Sequence, residues 1–182
     1  PGEQGGTAVA EVLFGDYNPA GRLPLTYYNS LDELPPFDDY DITKGRTYQY
    51  FTGKPLYPFG YGLSYTSFKY SKPNVKDFGE ELLVSFYVKN TGRYDGHEVS
   101  QVYVKLPDVG IVTPIKELKG FERNLIRKGE NKLVQIKIKK ELLRYWNEET
   151  EQFITPEGNY TFMIGASSED IRLTKEWVQL SK

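Results

Sequence analysis

Cysteine is absent from this 182-residue chain, and histidine occurs once, at His97. The first absence excludes disulfides, thiolate nucleophiles and thiolate-held metals together. The second leaves any metal almost wholly to oxygen ligands, and nothing in the sequence implies a metal or another cofactor. No apolar run approaches the ~20 residues that a helix needs to span a bilayer. Neither sign of charge prevails: 23 basic and 25 acidic residues leave −2, which gives no overall field for gathering nucleic acid or docking on anionic lipid. Charge is slightly uneven along the chain. There are 8 acidic and 4 basic residues up to Tyr65, then 17 against 19 after it, which hints at two segments.

Aromatic side chains are plentiful. Fifteen Tyr and 10 Phe sit within a 38% hydrophobic fraction, enough for a buried core rather than a disordered tail. The chain opens on Pro1-Gly2-Glu3-Gln4-Gly5-Gly6, a glycine-rich turn with no strand before it, as if continuing something larger. Val9, Leu13 and Phe14 then recur at helical spacing and Gly15 supplies a stop, predicting a short helix over Thr7–Phe14 with Thr7 as its cap. Asn18-Pro19-Ala20-Gly21 reads as a turn, and Leu23–Tyr28 as a strand that Pro24 places at an edge.

From Ser30 to Gly62, prolines and glycines interrupt every candidate element, while nine of the 15 Tyr fall between Tyr27 and Tyr70. A long irregular segment so rich in aromatics needs burial or a partner. After Tyr65 the pattern becomes period-2, with strands predicted at 82–88, 98–104, 132–138, 160–164 and from Ile171 toward Trp177 and Leu180. A helical interlude is expected at Lys140–Trp146, with Leu142, Leu143 and Trp146 on one face, and Ile154–Tyr160 reads as a corner whose Tyr hydroxyl bonds back to backbone. About seven short strands make the fold class mainly β: a fibronectin III or immunoglobulin-like β-sandwich, preceded by a helix and strand and a long aromatic linker.

Two blocks carry more than fold class. One runs GGTAVAEVLFGDYNPAGRLP over residues 5–24; the other joins GRTYQYF at 45–51 to PLYPFGYGLSY at 55–65. In this order they resemble the C-terminal part of family 3 glycoside hydrolases, the β-glucosidase and β-xylosidase family. Asn90-Thr91-Gly92, Gly96-His97-Glu98-Val99 and Lys116–Phe121 are similar to that family's terminal fibronectin III-like domain. The resemblance implies that residues 1–65 are the end of the family's α/β sandwich domain plus linker, and 66–182 the fibronectin III-like domain. It also implies partners, namely an upstream (β/α)8-type barrel and the rest of the α/β sandwich domain of the same protein, and export to the periplasm or beyond.

Family members are retaining enzymes, which use two carboxyl groups about 5–5.5 Å apart, one as nucleophile and one as acid/base. Both belong to family regions upstream of the blocks matched here, so no catalytic residue is assigned to this chain. The acids of its own two clusters, Asp38, Asp39 and Asp41, and Glu148, Glu149 and Glu151, read as solvated loop charge, with nothing nearby to raise a pKa as a general acid requires. Glu3-Gln4 reads as a tight turn, Asp16 as a bond to the turn at Asn18, and His97 as a surface histidine. Asn159-Tyr160-Thr161 fits a glycosylation sequon within a strand.

Tyr48, Tyr50, Phe51, Tyr57, Phe59 and Tyr61 are read as an interdomain wedge, with a sugar-stacking platform as the alternative; such rings bury about 150–250 Å² each. Arg46 is expected to pair with a carboxylate of an adjoining domain. The parent is expected to release terminal β-linked glucose or xylose, while this region stabilises it without catalysing. By itself, with an apolar patch exposed around Tyr48 to Tyr65, the chain is expected to self-associate as a dimer or aggregate. The rival function is a carbohydrate-binding module, which needs exposed aromatics on a sandwich face; Trp146 and Trp177 are the candidates, but both sit in apolar patterns that read as core. A purely structural adhesin-like sandwich leaves the two blocks unexplained.

Overall fold

Seven antiparallel strands form two facing sheets in the computed structural model, which describes residues 2–180. One sheet has the order β1 (Phe68–Asp77), β2 (Glu81–Asn90), β5 (Asn131–Lys139). The other has the order β4 (Glu117–Ile126), β3 (Gly96–Lys105), β8 (Gly158–Gly165), β9 (Ile171–Gln179). A separate ribbon pairs β6 (Tyr145–Asn147) with β7 (Gln152–Ile154). The fold is mainly β.

Alternation dictates the packing, because successive strand residues point to opposite faces. Leu82, Val84, Phe86 and Val88 of β2 and Val134, Ile136 and Ile138 of β5 point inward. They meet Val102 and Val104 of β3 and Tyr160, Phe162 and Ile164 of β8. Each such side chain stabilises the fold by about 1.5–3 kcal/mol through burial. The expected corner is present: the Tyr160 hydroxyl donates to the Pro156 carbonyl at 2.6 Å. Trp177, expected in the core, packs its ring against Tyr160 and Phe162.

Several local expectations need correction. Helix α1 spans Gly5–Phe14 with Gln4 at its N-cap, so it starts before Thr7, which caps nothing. The predicted strand at Leu23–Tyr28 is reduced to one bridge, Tyr27 with Tyr57, flanked by backbone bonds from Leu23 to Tyr61 and from Gly60 to Leu23. Pro24 has no N–H to extend that ladder. The interlude after β5 is a 3₁₀ turn over Lys140–Leu143 only. Leu143 is fully buried, while Leu142 and Trp146 are half-exposed, so the three share no face. Trp146 sits on the β6–β7 ribbon, edge-on to Phe153 and outside the core.

Strands β1 and β4 were not legible as strands. β1 is bulged where Lys72 takes a φ of 55° before Pro73, which breaks the period and protects this edge from pairing with another chain. In β4, Gly120 lies against Ile136, where a Cβ would approach Cγ2 within 2.6 Å. The strand therefore lacks an apolar residue at the position that faces Ile136.

Candidate docking surface

A single buried carboxylate organises the meeting of the N-terminal segment and the sandwich. In β3, Glu98 shares inward parity with Ser100, Val102 and Val104, and its side chain is 3% exposed. A charge in that position needs partners. Arg22 of the N-terminal segment supplies one at 2.9 Å, Arg172 of β9 a second at 3.6 Å, and the Tyr70 hydroxyl donates a hydrogen bond at 2.7 Å. Burial pushes the Glu98 carboxyl above its usual range, against the pull of the Tyr70 hydroxyl and the two arginines. Burial likewise raises Tyr70 well above an ordinary phenol, with the Glu98 charge adding to it. Arg172 also lies 4.9 Å over the Tyr70 ring, closing the edge where β1 and β9 meet.

Asn18 makes a second tie. Its amide donates to the Asp95 carbonyl at 2.9 Å, and its carbonyl accepts from Ser64 and from the Tyr65 N–H. The turn is thus held by Asn18, and not by Asp16 as expected.

The linker makes the third tie, over the outer face of β3. Gln101 and Tyr103 point away from the core, yet they are 2% and 0% exposed. Tyr48, in the short helix α2 (Thr47–Tyr50), covers them: it stacks on Phe59 at 4.3 Å, meets the Tyr103 ring edge-on at 5.8 Å, and accepts a hydrogen bond from the Leu118 N–H. The Gln101 amide donates to the Gly60 carbonyl, and the Ser168 N–H to the Phe59 carbonyl. Glycine is required at both positions of the PFGYG block. Gly60 has a φ of 80° and abuts Gln101, while a Cβ on Gly62 would lie 2.2 Å from the Gly21 carbonyl oxygen.

Five of the six aromatics expected to act together fall into three groups, and Tyr50 stands outside them. Tyr48 and Phe59 stack under the sandwich. Tyr57 pairs with Tyr61 and Tyr27, and Phe51 lies edge-on to Tyr28. Tyr50 is half-buried, and burial raises its phenol. Arg46 does not reach a carboxylate of another element; it donates to the carbonyls of Pro36 and Asp39 and closes its own loop.

Other candidates lie apart. Asp39, bonded to Lys44, and Asp41, bonded to Thr43, are held below the usual carboxylate range, opposite to the direction a general acid needs. Glu148, Glu149 and Glu151 are exposed at the turn of the β6–β7 ribbon. Glu3 and Gln4 form the turn that feeds α1, His97 is half-buried with its pKa lowered by desolvation and by Arg123, and Asn159 is exposed in β8.

One surface of the N-terminal segment remains uncovered. α1 buries no residue; Val9 is 58%, Leu13 72% and Phe14 84% exposed. Leu13 and Phe14 line an open cleft of about 540 Å³ with Tyr65 and Tyr94. The segment is therefore fastened on one side and apolar on the other.

Residues 1–65 match the Glycosyl hydrolase family 3 C-terminal domain, and residues 98–168 a Fibronectin type III-like domain. A xylan 1,4-beta-xylosidase of Xylanibacter ruminicola is 44% identical across 99% of this chain. A periplasmic beta-glucosidase of Salmonella typhimurium is 37% identical across 94% of it. The structure of beta-glucosidase 3B from Thermotoga neapolitana superposes over 97% of the chain with a TM-score of 0.90 and 37% identity. This chain spans only 21%, 24% and 27% of those three proteins. The chain belongs to glycosyl hydrolase family 3, and corresponds to the C-terminal region of its members.

Proposed function

We propose that this region is a non-catalytic stabilising part of a glycoside hydrolase that releases terminal β-linked glucosyl or xylosyl residues by a retaining mechanism. The observation that carries this reading is the two-sided N-terminal segment, locked to the sandwich through Arg22–Glu98, Asn18 and Tyr48 while the apolar face of α1 stays exposed. That face docks on upstream domains of the same protein. The boundary between the two units falls at Tyr65/Thr66, a reading supported by the end of the family match at residue 65 and the start of β1 at Phe68. Tyr48, Tyr50, Phe51, Tyr57, Phe59 and Tyr61 serve interdomain packing, Tyr48 and Phe59 toward the sandwich. The parent works in the periplasm or outside the cell, which the named periplasmic relative supports.

A substitution at Phe14 tests the docking, because its effect depends on context. Phe14→Asp in this chain alone shifts stability by no more than about 0.5 kcal/mol, as at other exposed positions. In the full-length enzyme it removes about 2–3 kcal/mol of apolar burial, read as a lower melting temperature. Equal, small effects in both would overturn the proposal. Alone, the chain self-associates through the same face in sedimentation runs at rising concentration, and Phe14→Asp suppresses this.

One observation favours the rival carbohydrate-binding module: Trp146 and Phe153 form an exposed edge-to-face pair on the β6–β7 ribbon, and sugar rings stack on such faces. Titration with xylan and glucan oligosaccharides, read by tryptophan fluorescence, separates the readings. No saturable change is expected; a saturable change lost in Trp146→Ala would establish the rival.

A further inference from the structure

We propose that the outer face of the β1–β2–β5 sheet is a docking surface for an anionic polysaccharide, a polymer of uronate-type sugars. The chain carries a net charge of only −2, yet lysines collect on this face: Lys69, Lys76, Lys89, Lys137 and Lys139 by strand alternation, and Lys72 at the bulge of β1. Glu81 engages Lys137 and Glu141 engages Lys139. Among the described residues no salt bridge holds Lys69, Lys72, Lys76 or Lys89.

The register makes the arrangement hard to explain by folding alone. Lys69 lies directly opposite Lys89 on neighbouring antiparallel strands, and like charges so placed are destabilising. Edge protection accounts for lysines on β1 itself, but not for Lys89 placed opposite on the inner strand β2, and a polyanion outside the chain offsets that cost.

The spacing selects a polymer. The Lys69–Lys89 pair and the row joining Lys76, Leu83 and Lys137 are separated by six residues of β2, roughly 20 Å at about 3.3 Å per residue. No small anion bridges that distance. Between the two ends one row of Asn74, Ser85 and Gln135 presents amides and a hydroxyl, suited to sugar hydroxyls.

The chemistry of the face selects a glycan among polyanions. Its cations are lysines, compact point charges suited to single carboxylates, and none is an arginine fork of the kind that grips phosphate in two places. Its aromatics, Tyr87 within the face and Phe78 at its end, stand apart and are covered by Lys72 at 5.6 Å and by Lys76 at 5.0 Å, so successive nucleobases find no stacking platform. The surface uses only sandwich residues and does not depend on where the parent's catalytic groups lie.

Affinity electrophoresis of this chain through gels containing polygalacturonate tests the proposal, with neutral xylan, a short DNA duplex and phosphatidylserine vesicles as the other arms. Retardation is expected with polygalacturonate alone, weakening as salt rises. The quadruple variant Lys69→Gln, Lys72→Gln, Lys76→Gln, Lys89→Gln loses about tenfold in affinity, the combined worth of four exposed ion pairs. The double variant Lys69→Gln, Lys89→Gln loses part of it while melting no lower than the parent chain, since it removes a repulsion. No retardation by polygalacturonate, undiminished retardation of the variants, or equal retention of the chain by DNA or vesicles would each overturn the assignment.

Discussion

Replacing Glu98 by alanine lowers the unfolding free energy of this chain by about 3–5 kcal/mol, the range expected when one partner of a buried ion pair is removed. The carboxylate is 3% exposed and holds Arg22 and Arg172, whose side chains are 12% and 28% exposed. Its removal leaves the Arg22 guanidinium confined with no countercharge, and the Arg22 Nε already lacks a hydrogen-bond partner. The Tyr70 hydroxyl loses the Glu98 oxygen it donates to and keeps only Ser100 within reach. Urea denaturation of wild type and variant measures the difference. A loss under about 1 kcal/mol, the worth of an exposed pair, would show that water replaces Glu98 and that the contact does not fasten the segment.

The same pair sets a direction for pH dependence. Because burial raises the Glu98 carboxyl, the folded state takes up a proton at higher pH than the unfolded chain. Its contribution therefore falls as pH rises through the window between the two values, opposite in sign to a carboxylate held low.

Gly62→Val detaches the linker while leaving the sandwich folded. The new Cβ would stand 2.2 Å from a backbone oxygen, that of Gly21, and 2.5 Å from the Arg22 guanidinium. A backbone atom cannot turn aside as a side chain can, so the two segments must part. Overpacking of this kind costs about 1–3 kcal/mol and sometimes more. Gly21→Ala is the matched control, since its Cβ would meet nothing within 4 Å. Limited proteolysis reads the outcome: cleavage within residues 30–62 accelerates for Gly62→Val and stays at the wild-type rate for Gly21→Ala. Unchanged protection of both variants would mean that the linker does not need this close approach.

The strands with apolar residues at every second position were legible because a two-sided environment leaves a period in the sequence. Val84, Phe86 and Val88 in β2, or Val134, Ile136 and Ile138 in β5, leave no other reading. β1 was hidden because its ladder is broken at Lys72 and Pro73, which puts its two halves out of phase. β4 was hidden because a glycine, Gly120, takes the inward position against Ile136. Trp146 was misassigned for a related reason: an apolar residue beside Leu142 and Leu143 mimics a helix face, and only the chain's turn at Leu143 sends it outward.

The docking surface left fainter signs. The aromatic segment stood out by composition, but nothing in its spacing told that Tyr48 and Phe59 turn toward β3 whereas Tyr57 and Tyr61 turn toward Tyr27. Glu98 could have been found, since a carboxylate in phase with Ser100, Val102 and Val104 must be buried and must have a partner. That partner, Arg22, lies 76 residues away, and no local pattern names it. Sequence shows charges but not carbonyl oxygens, and within this chain the acceptors of Arg46 are the carbonyls of Pro36 and Asp39.

Hydrolysis of p-nitrophenyl β-glucoside and β-xyloside, by this chain and by the full-length enzyme side by side, tests the central claim most directly. Turnover by the full-length enzyme and none by this chain is the predicted result, with the catalytic carboxylates lying upstream and this region holding them in place. Turnover by this chain alone would contradict the account and return Asp38, Asp39 and Asp41, or Glu148, Glu149 and Glu151, to the role of catalytic acids.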